Sequence, residues 1–185
     1  YEPLAAVVDA EAALEDDSPV LFEPHGDNIA VAATDDANAG IFADADVVVR
    51  GRYVNQRVAV APMEPHAAAA VVGDDGRLTF YGSTQMPHLL HQLLCRALGV
   101  DKSQVHVVTP HVGGGFGGKA GLYPEQVVVA VAAQRLGRPV TWASTRSDDM
   151  VSLAHSRGQV QYVELGCRRD GTFTGLRVRL VGDGG

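Results

Sequence analysis

The chain has 185 residues, enough for one domain or a large piece of one, with hydrophobic residues at 46% and charged residues at 20%; these near-average proportions do not indicate disorder. Its 15 Lys and Arg against 22 Asp and Glu leave a formal net charge of -7, which argues against a nucleic-acid or membrane-surface binder, since both need clustered cations. No run of about 18 apolar residues is present, so no membrane span is expected. The opening Tyr1-Glu2-Pro3-Leu4 lacks a basic start and an apolar core, so no secretory leader is expected and a cytoplasmic protein is. The two cysteines, Cys95 and Cys167, fall at no metal-ligand or redox spacing and are expected as reduced thiols.

Residues 1–40 are weakly patterned and read as an arm or linker. Asp9 to Glu15 reads as a short helix stopped by Ser18-Pro19, and Pro24, Gly26 and Asp27-Asn28 mark loop. From Val47 to Gln56 the pattern predicts a strand. Ala67 to Val72 and Arg77 to Gly82 predict two more, with Leu78 and Phe80 on one face; the turn Asp74-Asp75-Gly76 between them predicts an antiparallel pair. A helix follows, with Pro87 in its first turn, an apolar stripe of Leu89, Leu90, Leu93, Leu94, Ala97 and Leu98, and Gly99 as its C-terminal cap. Val105 to Val108 predicts a strand, Pro110 to Gly121 a glycine-rich loop, and Pro124 the start of a second helix that runs to Leu136 and closes at Gly137. Val140 to Trp142 reads as a short strand, 145–156 as a polar connection, and Gln159 to Leu165 and Thr172 to Val181 as strands about the turn Arg169-Asp170-Gly171. The whole is expected to be α+β, a mixed sheet with two packed helices over residues 41–185. The end at Gly182-Asp183-Gly184-Gly185, directly after a strand, leads us to expect a domain incomplete at its C-terminus.

The glycine loop, Gly113-Gly114-Gly115-Phe116-Gly117-Gly118-Lys119, satisfies two nucleotide-binding patterns on paper. Gly113, Gly118 and Lys119 fit G-x-x-x-x-G-K, but Ala120 stands where a magnesium-binding Ser or Thr is needed. Gly113, Gly115 and Gly118 fit G-x-G-x-x-G, but the next strand, 140–144, carries no acid for a ribose. A plain turn needs one or two glycines and not five, each at a conformational cost of roughly 0.5–1 kcal/mol in regular structure. Five glycines bare the main chain, so consecutive N–H groups can approach an anionic or oxo ligand, with Phe116 placed to wall a flat one.

In this context the loop resembles the signature of the molybdenum hydroxylases: xanthine dehydrogenases, aldehyde oxidases and aerobic carbon monoxide dehydrogenases. Ser83-Thr84-Gln85 stands upstream between a strand and the leucine-rich helix that ends in Leu98-Gly99-Val100, in the order of that family's first molybdopterin-binding domain. Met63-Glu64-Pro65, Leu136-Gly137-Arg138-Pro139-Val140, Thr145-Arg146-Ser147-Asp148-Asp149-Met150 and Tyr1-Glu2-Pro3-Leu4 resemble further stretches of it, so the likeness covers nearly the whole chain.

The resemblance implies a molybdenum–molybdopterin cofactor, in its cytosine dinucleotide form, contacted by Gln85, Gly114, Gly115, Phe116 and Gly117, with the neutral Gln85 amide donating to an oxygen on molybdenum. It implies an oxidoreductase that hydroxylates an aldehyde, an N-heterocycle or carbon monoxide with oxygen from water. FAD and 2Fe-2S clusters are implied on partners, an FAD-binding medium subunit and an iron–sulfur small subunit. No catalytic residue is assigned within the chain, because the family's glutamate base lies far beyond Gly185; a fragment inactive on its own is expected. Ala120 stands where purine-oxidising members carry Glu, which argues against a purine, and Lys119-Ala120-Gly121-Leu122-Tyr123-Pro124 is closest to the carbon monoxide dehydrogenase type. The alternative is a non-catalytic truncated α+β module retained for assembly. His88 and His91 have no third partner at metal-binding spacing. His111 borders the loop, and Cys95 and Trp142 read as packing.

Overall fold

The computed structural model describes residues 2–35 and 40–184. They fall into two compact units, one formed by 1–58 with 157–185 and the other by 59–156.

In the first unit, strand β1 (Val47–Asn55), strand β6 (Gln159–Cys167) and strand β7 (Phe173–Gly182) form an antiparallel sheet in the order β1-β6-β7. The hairpin forms where the turn residues predict it: the Arg168 N–H donates to Thr172 O at 2.8 Å, and Gly171 takes φ +90°. Strand alternation puts Arg50 and Arg52 of β1, Tyr162 and Glu164 of β6, and Arg177 and Arg179 of β7 on one face of the sheet. The expected helix over 9–15 is only a 3-10 turn, Ala12–Leu14, with a second turn at Glu23–His25. Asp9 Oδ1 accepts the N–H groups of Glu11 and Ala12, both at 2.9 Å. The turn ends at Leu14, with Glu15 already extended at ψ 147°.

The second unit holds the mixed sheet, β4-β3-β2-β5. Strand β2 (Ala67–Val72) pairs antiparallel with β3 (Leu78–Gly82) and with β5 (Val140–Ala143), while β4 (Val105–Val108) runs parallel to β3. Parallel neighbours need a crossover, and helix α1 (Pro87–Leu98) supplies it. Leu90, Leu94 and Cys95 of α1 meet Leu78 and Phe80 of β3 and Val129, Ala130 and Ala133 of helix α2 (Pro124–Leu136) in one buried cluster. Both helices stop on left-handed glycines, Gly99 and Gly137, where the sequence places caps.

A third helix, α3 (Arg146–Ser152), replaces the polar connection expected over 145–156. A capping box starts it: the Thr145 hydroxyl accepts the Asp148 N–H at 3.2 Å, and Asp148 Oδ2 accepts the Thr145 N–H at 3.1 Å. Seven residues with no apolar stripe give periodicity nothing to detect.

Candidate binding site around the glycine loop

Three segments of the second unit converge: the turn after β3 (Ser83-Thr84-Gln85), the glycine loop between β4 and α2, and Pro62 to Pro65 ahead of β2. Gln85 Oε1 accepts N–H groups from Gly117 at 3.0 Å and Lys119 at 3.4 Å. The Gln85 N–H and the Thr84 hydroxyl both donate to Lys119 O, at 3.1 and 3.0 Å. Two donors on Oε1 fix which way the carboxamide faces. Its Nε2 is left as a donor with no acceptor among the described residues, on an exposed side chain. The N–H groups of Gly114, Gly115 and Phe116 likewise find no acceptor among the described residues.

The glycines have reasons that the sequence alone did not show. A Cβ on Gly113 would lie 2.5 Å from Glu64 Cβ, one on Gly115 2.4 Å from Gln85 Oε1, and one on Gly118 2.2 Å from Val60 Cγ2. Gly114 and Gly117 take φ of +103° and +95°, open only to glycine at low cost. The loop is thus bare partly because its own protein packs against it. Phe116 also sits at φ +52° and is 64% exposed. Such strain in a bulky residue, on the order of 1 kcal/mol, persists where the surroundings impose it and clusters at ligand sites.

Beneath the loop lies a charged pair whose partners had not been matched from sequence. Lys119 is fully buried, and its ammonium donates to Glu64 O and Glu64 Oε2, both at 2.8 Å, and to Pro65 O at 3.4 Å. Glu64 Oε2 also accepts from the Ser83 hydroxyl at 2.8 Å and the Gly113 N–H at 2.9 Å. Partial burial pushes the Glu64 carboxyl up, but the Lys119 ammonium, the Gly113 N–H and the Ser83 hydroxyl together outweigh it and hold the group below its ordinary value. With its three protons directed to protein oxygens, Lys119 cannot reach a phosphate, which removes the G-x-x-x-x-G-K reading. Helix α2 starts at Pro124, five residues after Lys119, so the glycines do not open a helix as a dinucleotide fold requires.

Tyr123 steadies the far end of the loop; its hydroxyl donates to Gly118 O at 2.5 Å and accepts the Ala154 N–H at 3.0 Å. Edge-on to Tyr123, 4.6 Å between ring centroids, is the buried His66. Its main-chain N–H meets the Asp149 carboxylate and its Nε2 meets the Gln126 amide at 3.1 Å. Burial, then the nearby Lys119 charge, push the His66 imidazole below its ordinary value.

The other candidates stand apart. His91 Nε2 lies 3.1 Å from Lys102 O and 3.2 Å from Val105 O, so that nitrogen carries the proton and is spent. Among the described residues no three side chains could hold a metal ion. His111 is exposed, and both cysteines are free thiols, Cys95 within the core.

Four neighbouring donors without acceptors, three on the main chain and one on Gln85, suit a ligand rich in oxo or other acceptor atoms. The sequence matches the molybdopterin cofactor-binding domain family over residues 21–185. It is 34% identical to the carbon monoxide dehydrogenase large chain of Hydrogenophaga pseudoflava, over 100% of this chain and 25% of that one. It is 33% identical to the nicotine 6-hydroxylase large subunit of Paenarthrobacter nicotinovorans, over 100% and 23%. The solved structure of quinoline 2-oxidoreductase from Pseudomonas putida 86 resembles it with a TM-score of 0.82 at 33% identity, over 100% of this chain and 24% of that one. The chain therefore spans about a quarter of the length of these relatives. No helix among the described residues is long and apolar enough to cross a membrane.

Proposed function

Since this chain belongs to the molybdopterin cofactor-binding domain family of the molybdenum hydroxylases, we propose that its glycine loop and Gln85 grip the cofactor of a large subunit that hydroxylates a small molecule. The N–H groups of Gly114, Gly115 and Phe116 would meet acceptor atoms of the molybdenum–pterin group. The exposed Phe116 ring would wall its flat part. Gly117 contributes main chain without a side chain, its own N–H being taken by Gln85. The observation that carries this reading is the orientation of the Gln85 carboxamide. With Oε1 occupied, it can only donate, as a neutral residue facing an oxo group should.

Bound there, the cofactor supplies the redox and oxygen-transfer chemistry, while the protein binds, orients and polarises. We assign the substrate to the aldehydes, the N-heterocycles or carbon monoxide, with oxygen drawn from water. The first two classes are in keeping with relatives named for nicotine and quinoline and with an aldehyde oxidoreductase; the third with the carbon monoxide dehydrogenases. Ala120, directly after Lys119, leaves no carboxylate there for a purine. The general base is assigned to chain beyond these 185 residues, and the cofactor to the cytosine dinucleotide form. Electrons would leave through an iron–sulfur small subunit with 2Fe-2S clusters and an FAD-binding medium subunit, in the cytoplasm.

The experiment is to purify the complete subunit with its partners and measure molybdenum and pterin per subunit. A stoichiometric content of both is expected, with turnover of at least one of the three substrate classes. A subunit free of molybdenum from a host that makes the cofactor would refute the reading.

A further inference from the structure

We propose that Glu64 and Lys119 are positioning residues for the cofactor loop, acting through Gln85 and the loop main chain and not by touching the ligand. The inference rests on the molybdopterin reading above. Lys119 joins all three segments of the site. Its N–H and carbonyl bind the Gln85 turn, at 3.4 Å to Gln85 Oε1 and 3.1 Å from the Gln85 N–H. Its ammonium binds Glu64 and Pro65 at 2.8–3.4 Å.

Glu64 closes the circuit. One oxygen, Oε2, collects the Lys119 ammonium, the Gly113 N–H and the Ser83 hydroxyl, all within 2.9 Å, while the Glu64 N–H returns to Gly113 O at 3.2 Å. The carboxylate thus ties the first residue of the loop to its last and both to the residue two before Gln85. A single anion with three donors from three segments fixes their spacing more narrowly than packing alone, because each charge-assisted bond is short and directional. A fully buried ammonium cannot drift without losing acceptors that water does not replace. The spacing fixed in this way is the one that sets the free Gln85 Nε2 against the free N–H groups of 114–116.

The test uses the complete subunit with its partners and reads the rate at which bound pterin is released, alongside the melting temperature of the cofactor-free protein. Glu64→Gln keeps an oxygen acceptor but removes the charge. It is expected to speed release by about tenfold and, because the buried Lys119 ammonium loses its anion, to lower the cofactor-free melting temperature as well, so the combination with Gln85→Glu separates positioning from general destabilisation. Combined with Gln85→Glu, it should add little. The double variant should release no more than about threefold faster than the faster single one, the non-additivity of residues acting as one unit.

Release within about twofold of wild type for Glu64→Gln, or a double variant that multiplies the two effects, overturns the proposal. If Glu64→Gln does not fold, Ser83→Ala removes one of the three donors to the same oxygen. Release about threefold faster supports the proposal, and an unchanged rate overturns it. A wild-type protein without pterin would refute the functional reading itself. Pterin-bearing wild type beside an indistinguishable Glu64→Gln refutes only the positioning role.

Discussion

Each unit holds a carboxylate that several donors share, two cations in one unit and a single cation with two neutral donors in the other. On the three-stranded sheet, Glu164 lies between Arg50 at 2.6 Å and Arg177 at 3.1 Å, whose side chains are 66% and 51% exposed. Under the glycine loop, Glu64 holds Lys119 at 2.8 Å, with the lysine fully buried. The lengths are alike; the surroundings are not. Water and salt screen the first set, and freezing three long side chains costs entropy, so it contributes little to stability. In the second the lysine has lost its hydration while the carboxylate keeps part of its own, so the ammonium left alone is expensive. The difference shows where this protein uses charge for geometry: at the loop, where main chain must be held for a ligand, and not on the sheet.

Lys119→Met should break the comparison most visibly. Removing one partner of a buried pair costs about 3–5 kcal/mol, and the lower end is expected because Glu64 is 34% exposed. Denaturant unfolding monitored at Trp142, in the same unit, checks it, and a loss under about 1 kcal/mol would place the pair with the surface ones.

Gly118→Ala comes next, at about 1–3 kcal/mol, because its Cβ would sit 2.2 Å from Val60 Cγ2; thermal melting checks it. Gly121→Ala, with nothing within 4 Å of the added carbon and no φ in the left-handed region, is the matched control and should melt near wild type.

His66 gives a smaller, pH-dependent effect. Its pKa is lowered in the fold, so the unfolded chain takes up the proton more readily than the folded one. Its contribution is intact above the ordinary histidine value of about 6.5 and declines as pH falls below it. In His66→Gln the stability difference between pH 7 and pH 5 should shrink; an unchanged slope would mean that His66 does not titrate this way. The smallest effect belongs to Arg177→Ala, which should leave the unfolding midpoint of the intact protein unchanged at physiological salt.

Much of this was legible in the sequence. Hairpin turns, capping glycines and period-2 alternation marked the strand pairs 67–72 with 77–82 and 159–165 with 172–181, within two residues of the observed ends, because those signals are local. The split into two sheets was not legible, since β1 pairs with β6 more than a hundred residues away and nothing local announces a distant partner. At the site, Gln85 and the loop stood out by residue type and order. The Lys119–Glu64 pair did not, because nothing local announces that a lysine after glycines is buried against a carboxylate 55 residues upstream. The loop glycines were read as room for a ligand, and three of them prove to be room for Glu64, Gln85 and Val60.

The central claim, that the Gln85 carboxamide donates from Nε2 to the molybdenum–pterin group, is tested most directly by Gln85→Glu in the complete subunit. Glutamate has the same shape and still offers an oxygen to the Gly117 and Lys119 N–H groups, so the cofactor-free protein should melt as wild type does. It replaces the free donor with a negative oxygen, so molybdenum per subunit should fall by about tenfold or more. A Gln85→Glu protein that carries wild-type molybdenum would contradict the account.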